Sequence, residues 1–332
     1  MKRTTLIRSA LAASAVVSVA AIGPALGSGA GAGSVPHPLT IVYDTAATTH
    51  KLVFPRKGPG LSPTRGDLRQ DGAPQGMYTP GSSAPYRISK ISGAALARMT
   101  PNQMVAALKA QITRGTYGAQ AHLVAIDEML EYYGEPPPAN PQSNPPLRPV
   151  NPNSPGARFT DAMQIMASQQ TPWGGTWASR VEVYISPGMV TSIADGRGPL
   201  RNLGEHNKPI GRSWRGVMPG LALVGGLHLE MYHGSGKPLK AFTAAQWRSA
   251  PATFIGLLKR YGGSASEVHF MFTATTVPAG APRGYGSAME ASWSLARSTA
   301  SGRTVLANGP DAYRLGSGGA QWLAEYNREF PG

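Results

Sequence analysis

Two short apolar runs of the chain end in side chains that can carry out acid–base chemistry. Residues 121–129 and 221–227 have the length and composition of buried strands, and polar groups follow where each strand should leave the core. Paired carboxyl groups can cleave a glycosidic bond, because one protonates the leaving oxygen while the other attacks the sugar or activates water. The polar residues are Asp127 and Glu128 in the first run, and His228, Glu230, Tyr232 and His233 after the second.

Glu128 and Glu230 are the catalytic pair that this pattern predicts. Asp127 directly precedes Glu128, and repulsion between two carboxylates favours a proton on Glu128, which suits an acid/base residue. Glu230 is then the nucleophile, or the base of an inverting reaction. His228 comes two residues before Glu230. On a strand these two side chains share a face, so the imidazole can orient the carboxylate.

Aromatic and polar side chains near the strand ends are the predicted substrate contacts. Flat aromatic faces beside carboxylates suit the C–H faces of sugar rings. Asp44 follows the predicted first strand, residues 39–43, and strand ends meet at one edge of a parallel barrel. The predicted substrate-binding residues are Asp44, Asp127, Trp173, Trp177, Tyr184, His228, Tyr232 and His233.

Structural roles are the alternative for the acidic residues. Asp127 and Glu128 can cap a helical turn at residues 129–133, where the helix dipole favours acidic side chains. Glu230 can instead be the buried partner of Arg212 or Arg215.

A metal-dependent hydrolase is a second chemical interpretation of the same cluster. His228 and Glu230 share a strand face, and His233 can return from the turn to complete a ligand set. The spacing is not that of an HExxH motif, and we predict no metal and no cofactor. The chain also lacks a G-x-S-x-G motif, which argues against a serine hydrolase. A non-catalytic glycan-binding or surface protein is the remaining alternative.

The composition narrows the chemistry further. The chain has 332 residues, of which 41% are hydrophobic and 14% charged, and it contains no cysteine. The lack of cysteine excludes thiol catalysis, disulfide bonds and Cys-ligated zinc. The net charge is +14, but the basic residues are dispersed and form no run, so we expect no nucleic-acid partner.

The amino terminus has the pattern of a secretory signal peptide. A basic segment with Lys2, Arg3 and Arg8 precedes an apolar run over residues 11–22, and small residues follow at 25–27. We therefore predict a signal peptide at 1–27, a Gly/Ala/Ser/Pro-rich linker at 28–38 and a catalytic domain at 39–332. The expected product is a secreted or cell-envelope monomer with no stable membrane insertion once the signal is cleaved.

Strand and helix patterns alternate through the second half of the chain. Apolar alternation predicts strands at 180–186, 221–227, 268–272 and 304–307, with helices at 243–261, 287–299 and 320–330 between and after them. Upstream, Thr100-Pro101 predicts a helix start, and Thr160-Asp161 is predicted to cap another helix. This alternation predicts an α/β fold with a parallel sheet, and the strand count suits a (β/α)8 barrel better than a doubly wound open sheet.

Three features together carry a resemblance to a known class of enzymes. They are VAIDEM at 124–129, LHLEMYHG at 227–234 and the alternation from 180 to 330. On these features the chain resembles secreted glycoside hydrolases with a (β/α)8, TIM-type barrel, here with long Pro/Gly-rich loops. The resemblance implies a carbohydrate substrate bound at the C-terminal rim. A large clan of such enzymes carries its carboxylates on the fourth and seventh strands, whereas our count puts Glu128 near the third and Glu230 near the fifth.

Overall fold

A computed structural model gives the arrangement of most of the predicted domain. Its described strands number ten, of which eight form one sheet and two form a small antiparallel pair. It describes residues 42–44, 76–78, 89–114, 116–117, 121–136, 149–192, 213–231, 243–273 and 288–313. The strands are β1 (Val42–Asp44), β2 (Gly76–Tyr78), β3 (Ser89–Ser92), β4 (Thr116–Tyr117), β5 (Ala121–His122), β6 (Val124–Met129), β7 (Val181–Ile185), β8 (Gly226–Glu230), β9 (Val268–Thr273) and β10 (Asp311–Tyr313).

Helices connect most of the neighbouring strands, as an α/β fold requires. The longest described helix, with 17 residues, begins at Ala244 and is capped by Thr243, whose hydroxyl accepts from the Gln246 backbone in a capping box. No described helix is both long and apolar enough to cross a membrane. The helices are α1 (Gly93–Leu96), α2 (Pro101–Arg114), α3 (Pro155–Ala167), α4 (Pro187–Ser192), α5 (Met218–Leu221), α6 (Ala244–Arg260), α7 (Ala288–Arg297) and α8 (Ala300–Ala307).

The main sheet is parallel except at one end. Its strand order is β2-β1-β10-β9-β8-β7-β6-β3, and only the β1–β2 pair is antiparallel. The parallel strands β3, β6, β7, β8, β9 and β10 therefore lie side by side in chain order, and the first described strand lies beside the last. Among the described strand pairs, none joins the two outermost strands, β2 and β3.

Both faces of the central strands are buried, but they differ in chemistry. Every residue of β7 and β8 is buried. Val183 and Leu227 belong to the face that packs with the helices in the apolar core. The alternate positions carry titratable side chains, among them Glu182 and His228, and these are also almost fully buried. Because these polar side chains are shielded from water, other parts of the protein must cover this face of the sheet.

The predicted strand at 221–227 is wrong in its position. Leu221 ends α5, the chain turns through residues 222–225, and the strand begins at Gly226. Leu221 and Val224 are apolar because they pack into the core from a helical end and a turn. Gly225, directly before the strand, lies so close to the segment before β7 that a Cβ would overlap the Ser179 carbonyl oxygen. The observed strand is thus GLHLE, with Glu230 as its last residue.

Two further predicted boundaries are wrong, because the helices there begin at different capping residues. Residues 304–307 form the end of α8 rather than a strand, because Thr299 caps that helix by accepting from the Gly302 backbone. The strand comes later, as β10. Thr160 does not begin α3, since Ser154 caps it and Pro155 occupies its first position. Thr160 lies in the middle of the helix instead.

The other predicted elements fall into two groups. The helix beginning at Pro101, the capping box at Thr243 and the strands near 180–186 and 268–272 are confirmed. The predicted helix at 287–299 is observed as α7. The predicted terminal helix at 320–330 lies outside the described residues.

Candidate functional site

Glu128 and Glu230 lie on strands that leave the sheet at the same edge. Glu128 is the penultimate residue of β6 and Glu230 the last of β8, and both strands run parallel to β7 between them. Neighbouring strands are about 4.8 Å apart, so the backbones of β6 and β8 are separated by about 10 Å at this carboxyl edge. This backbone spacing is compatible with the separation of about 5–9.5 Å that two carboxyl groups need to act on one glycosidic bond.

The backbone at Glu128 is held in a conformation that non-glycine residues rarely adopt. Its φ is 57°, the only positive φ of a non-glycine residue in the described part of the chain. The strain coincides with an irregularity in the pairing of β6 with β7, between Ile126 and Met129. Gly93 packs against the Glu128 carbonyl so closely that a Cβ there would overlap the oxygen. Strain of this kind costs about 1–3 kcal/mol and is concentrated at functional sites.

The surroundings of the Glu128 carboxyl group favour its protonated form. Partial burial raises its pKa above the ordinary 4.5, and the neighbouring charges of Asp127 and Glu131 raise the pKa further. The ammonium group of Lys90 opposes them. Lys90 is itself bound to Asp127, with Nζ 3.0 Å from Oδ2. Asp127 is therefore paired with Lys90, and Glu128 is the carboxyl group of this strand end that is suited to carry a proton.

The helix-capping alternative for Asp127 and Glu128 does not match the structure. The turn that follows β6 is a short 3-10 helix, Glu131–Tyr133, which begins after Leu130 and has no side-chain cap. The buried Tyr133 closes this turn by donating its hydroxyl to the Gly93 carbonyl at 2.6 Å.

His228 and Glu230 lie on the buried polar face, where His228 has a carboxylate partner. Glu230 is 2% exposed and His228 is fully buried. Nε2 of His228 is 2.8 Å from Oε2 of Glu182, on the adjacent strand β7. With Glu182 ionised, this nitrogen is the donor, because a carboxylate can only accept. One ring nitrogen of His228 is thus committed within the protein.

Three rings stack across neighbouring strands at the level of His228. Tyr184 on β7 lies 4.3 Å from the His228 ring with an angle of 8° between planes. His269 on β9 lies 4.9 Å away on the other side at 16°. The His269 ring is itself positioned by Nδ1, which donates to the Gly309 carbonyl at 3.1 Å. The predicted contact residue Tyr184 therefore belongs to a fully buried layer with His228.

Glu182 and His269 are the residues of this face that our sequence reasoning missed. Both stand in otherwise apolar strands, VEVYI and VHFMFT, and both are at most 1% exposed. The sequence does contain a signal for them: each is a titratable residue with apolar neighbours before and after it in a predicted strand. Such a group is seldom buried without a partner.

Trp173 and Trp177 belong to the opposite edge of the sheet. The Trp177 carbonyl accepts from the backbone of Arg180, the residue directly before β7. The Trp173 ring stacks on the His122 ring with 3.8 Å between centroids, and a single residue separates His122 from the start of β6. Both tryptophans therefore lie near the amino ends of strands whose carboxyl ends hold Glu128 and Glu230. The structure does not bring them together with that pair.

Asp44 and Arg215 are the remaining predicted residues that the structure describes. Asp44 ends β1, so its backbone is at the carboxyl end of a parallel strand. Tyr232, His233 and Arg212 lie outside the described residues. Arg215, the other suggested partner of Glu230, is close enough to Tyr261 to influence the pKa of its phenol.

Neither metal-site geometry nor similarity to known proteins adds a further assignment. Within the described ranges, no three His, Asp or Glu side chains are grouped so that they could hold a metal ion. No protein-family model matches the chain, and no curated protein is significantly similar to it.

Proposed function

We propose that the protein is an exported glycoside hydrolase in which Glu128 is the acid/base and Glu230 the nucleophile or base. The observation that carries this proposal is the arrangement of the two carboxyl groups. They lie on strands separated only by β7, at one edge of a parallel sheet; Glu230 is buried, whereas Glu128 is only partly buried beside the charges of Asp127 and Glu131. Two carboxyl groups held in different environments at one site are what acid-and-base glycoside chemistry needs.

The environment of Glu128 suits the proton donor. Its pKa is raised by burial and by the nearby carboxylates, so a larger fraction keeps its proton near neutral pH. Its strained backbone is a second sign, because the surrounding structure must stabilise a conformation that a relaxed strand would avoid. Activity should therefore fall as pH rises through the pKa of Glu128.

The proposed barrel places the second carboxyl group on the inner wall. Sequential parallel strands with β1 beside β10 support this architecture, although β2 pairs antiparallel with β1 and no described strand pair joins β2 to β3. The burial of the polar face supports the same architecture, since curling the sheet covers that face without a second layer of helices. Glu230 then emerges at the rim where barrel enzymes carry their sites.

The test is hydrolysis of defined glycans by the chain that lacks its first 27 residues. A panel of xylan, cellulose, chitin, mixed-linkage glucan and peptidoglycan is assayed for new reducing ends. We expect Glu230→Gln and Glu128→Gln each to lower turnover at least about 100-fold on the substrate that is cleaved, with folding unchanged by circular dichroism. Asp161→Asn, the same type of change on the exposed face of α3, is the matched control and should retain full activity.

The pH profile checks which carboxyl group is the acid. Asp127→Asn removes a charge that raises the Glu128 pKa, so the basic limb of the profile should move to lower pH. Full activity of Glu230→Gln would refute the assignment of the pair. Glycan binding without any product would favour the non-catalytic alternative, and loss of activity to a chelator would favour the metal-dependent one.

A further inference from the structure

The Glu182–His228 pair is an unusual feature for the interior of a sheet. The His228 side chain is fully buried and that of Glu182 is 1% exposed, and they are joined by the 2.8 Å hydrogen bond across two strands. Replacing a buried ion pair with apolar residues of similar volume is often neutral or stabilising. Stability alone therefore gives little reason for these two residues at these positions.

The backbone of β8 is adapted to hold this pair. Glu182 is in register with Gly226 on the neighbouring strand. A Cβ on Gly226 would overlap Oε2 of Glu182 and would lie 3.1 Å from Nε2 of His228. The strand thus has no side chain where the hydrogen bond passes. Tyr184 and His269 then hold the imidazole plane from its two faces.

Glu230 is the next residue on the same face of the same strand. Residues two apart on a strand are about 6.6 Å apart along it, and their side chains point to the same side. A positive charge on His228 at that distance, inside a region without bulk water, stabilises the ionised form of the Glu230 carboxyl group. The charge on His228 in turn depends on Glu182, because a buried imidazole without a carboxylate partner favours its neutral form.

We propose that Glu182 is a positioning residue of the site: it keeps His228 as an imidazolium, protonated on both ring nitrogens, and through that charge holds Glu230 as a carboxylate. This inference rests on the proposed role of Glu230. The titratable groups that the described residues bring around His228 are Glu182 and Tyr184 from β7, His269 from β9 and Glu230 from its own strand. Burial raises the pKa of Glu267, directly before β9, and the charge of Glu182 raises it further.

The experiment measures the protonation of His228 and the titration of Glu230 directly, and it requires no substrate. Glu carboxyl carbons are labelled with 13C and His ring nitrogens with 15N in the full chain. The parent spectrum should show both ring nitrogens of His228 protonated, because the neutral tautomer with its proton on Nε2 carries no charge. In Glu182→Gln the titration midpoint of the Glu230 carboxyl group should rise by about one pH unit, because the charge on His228 is lost.

A matched control separates the hydrogen bond from the general loss of a negative charge. Glu267→Gln removes a nearby carboxylate but leaves the Glu182–His228 hydrogen bond in place, and glutamine can still serve the capping box at Ser264. We expect its effect on the Glu230 midpoint to be much smaller. His228→Gln removes the imidazole charge and keeps a donor for Glu182, so it should reproduce the shift even if Glu182→Gln folds poorly.

The outcomes distinguish this inference from the proposed function. If a glycan is cleaved, Glu182→Gln should lower kcat roughly 10- to 100-fold with KM nearly unchanged, and should move the acid limb of the pH profile upward. Unchanged Glu230 titration in both Glu182→Gln and His228→Gln would overturn the inference, whatever the activity. A parent spectrum in which either ring nitrogen of His228 is unprotonated would overturn it as well. If no glycan is cleaved but the titration shifts, the coupling stands and the glycosidase proposal fails.

Discussion

The buried carboxylate of Glu182 depends on the missing side chain of Gly226. The closest atoms to a Cβ at that position would be the Glu182 carboxylate and the His228 ring, which are both held in place by their neighbours. Neither can withdraw to solvent, since both are buried. The residue type at 226 is therefore set by the polar pair rather than by any turn.

Gly226→Ala should destabilise the protein by about 2–3 kcal/mol, because the added methyl group overpacks the interior and displaces the Glu182 carboxylate. The measurement is the free energy of unfolding in urea. Gly256→Ala is the matched control, since Gly256 lies exposed within α6 and a Cβ there meets nothing within 4 Å. It should stabilise the protein by about 0.5–1 kcal/mol through its better helix propensity. Equal stability of the two variants would contradict the packing described for β8.

The residues of the site were only partly predictable from the sequence. Glu128 and Glu230 stand at the ends of apolar runs, so their positions at strand ends could be inferred from the chain alone. The pairing of Glu182 with His228 could not, because 46 residues separate them and register between strands decides which side chains meet. The strain at Glu128 arises from a local pairing irregularity, which periodicity does not reveal.

At the level of elements, α3 is held by two hydroxyl groups with different tasks. Ser154 caps the helix by accepting from the Ala157 backbone at 3.2 Å. Thr160, one turn and a half later, donates to the Gly216 carbonyl at 2.6 Å and accepts from the Gly220 backbone at 3.0 Å. Thr160 thus ties α3 to the segment that leads through α5 into β8.

The two hydroxyl groups should therefore respond differently to removal. Ser154→Ala should cost about 1 kcal/mol of unfolding free energy, the usual value of a lost cap. Thr160→Val keeps the shape of the side chain but leaves a buried carbonyl and a buried N–H without a partner, and should cost about 1–3 kcal/mol. Urea unfolding of both variants provides the measurement. A stable Thr160→Val protein would mean that the α3–α5 contact does not depend on this bridge.

Element types were easier to predict than element limits, and α3 and β8 show why. Thr160-Asp161 is a good capping sequence, but Ser154-Pro155 is an equally good one upstream, and only packing selects between them. Similarly, residues 221–227 are apolar throughout, yet the first part packs as a helical end and only the last part joins the sheet. An apolar run indicates burial, whereas its backbone conformation depends on what the run packs against.

At the level of the whole molecule, the sheet concentrates titratable groups in its interior while helices cover its apolar face. Burial of such groups makes the stability of a fold depend on pH. Glu267, directly before β9, is the clearest case, because the charge of Glu182 acts on its pKa. Burial, reinforced by Glu182 and opposed by the hydrogen bond from Ser264, raises its pKa from 4.5 to about 7.

Because the pKa of Glu267 is raised in the folded state, its ionisation makes the protein less stable as pH rises. A carboxyl group that binds its proton more tightly in the folded state contributes stability below its unfolded pKa, and this contribution is lost as pH rises through the folded pKa, here between 4.5 and about 7. Glu267→Gln should abolish this loss, so the variant should be more stable than the parent at pH 8 by about 1–2 kcal/mol and nearly equal to it at pH 4. Urea unfolding at several pH values measures the difference between the two proteins. A constant difference across this range would show that Glu267 does not change its ionisation on folding.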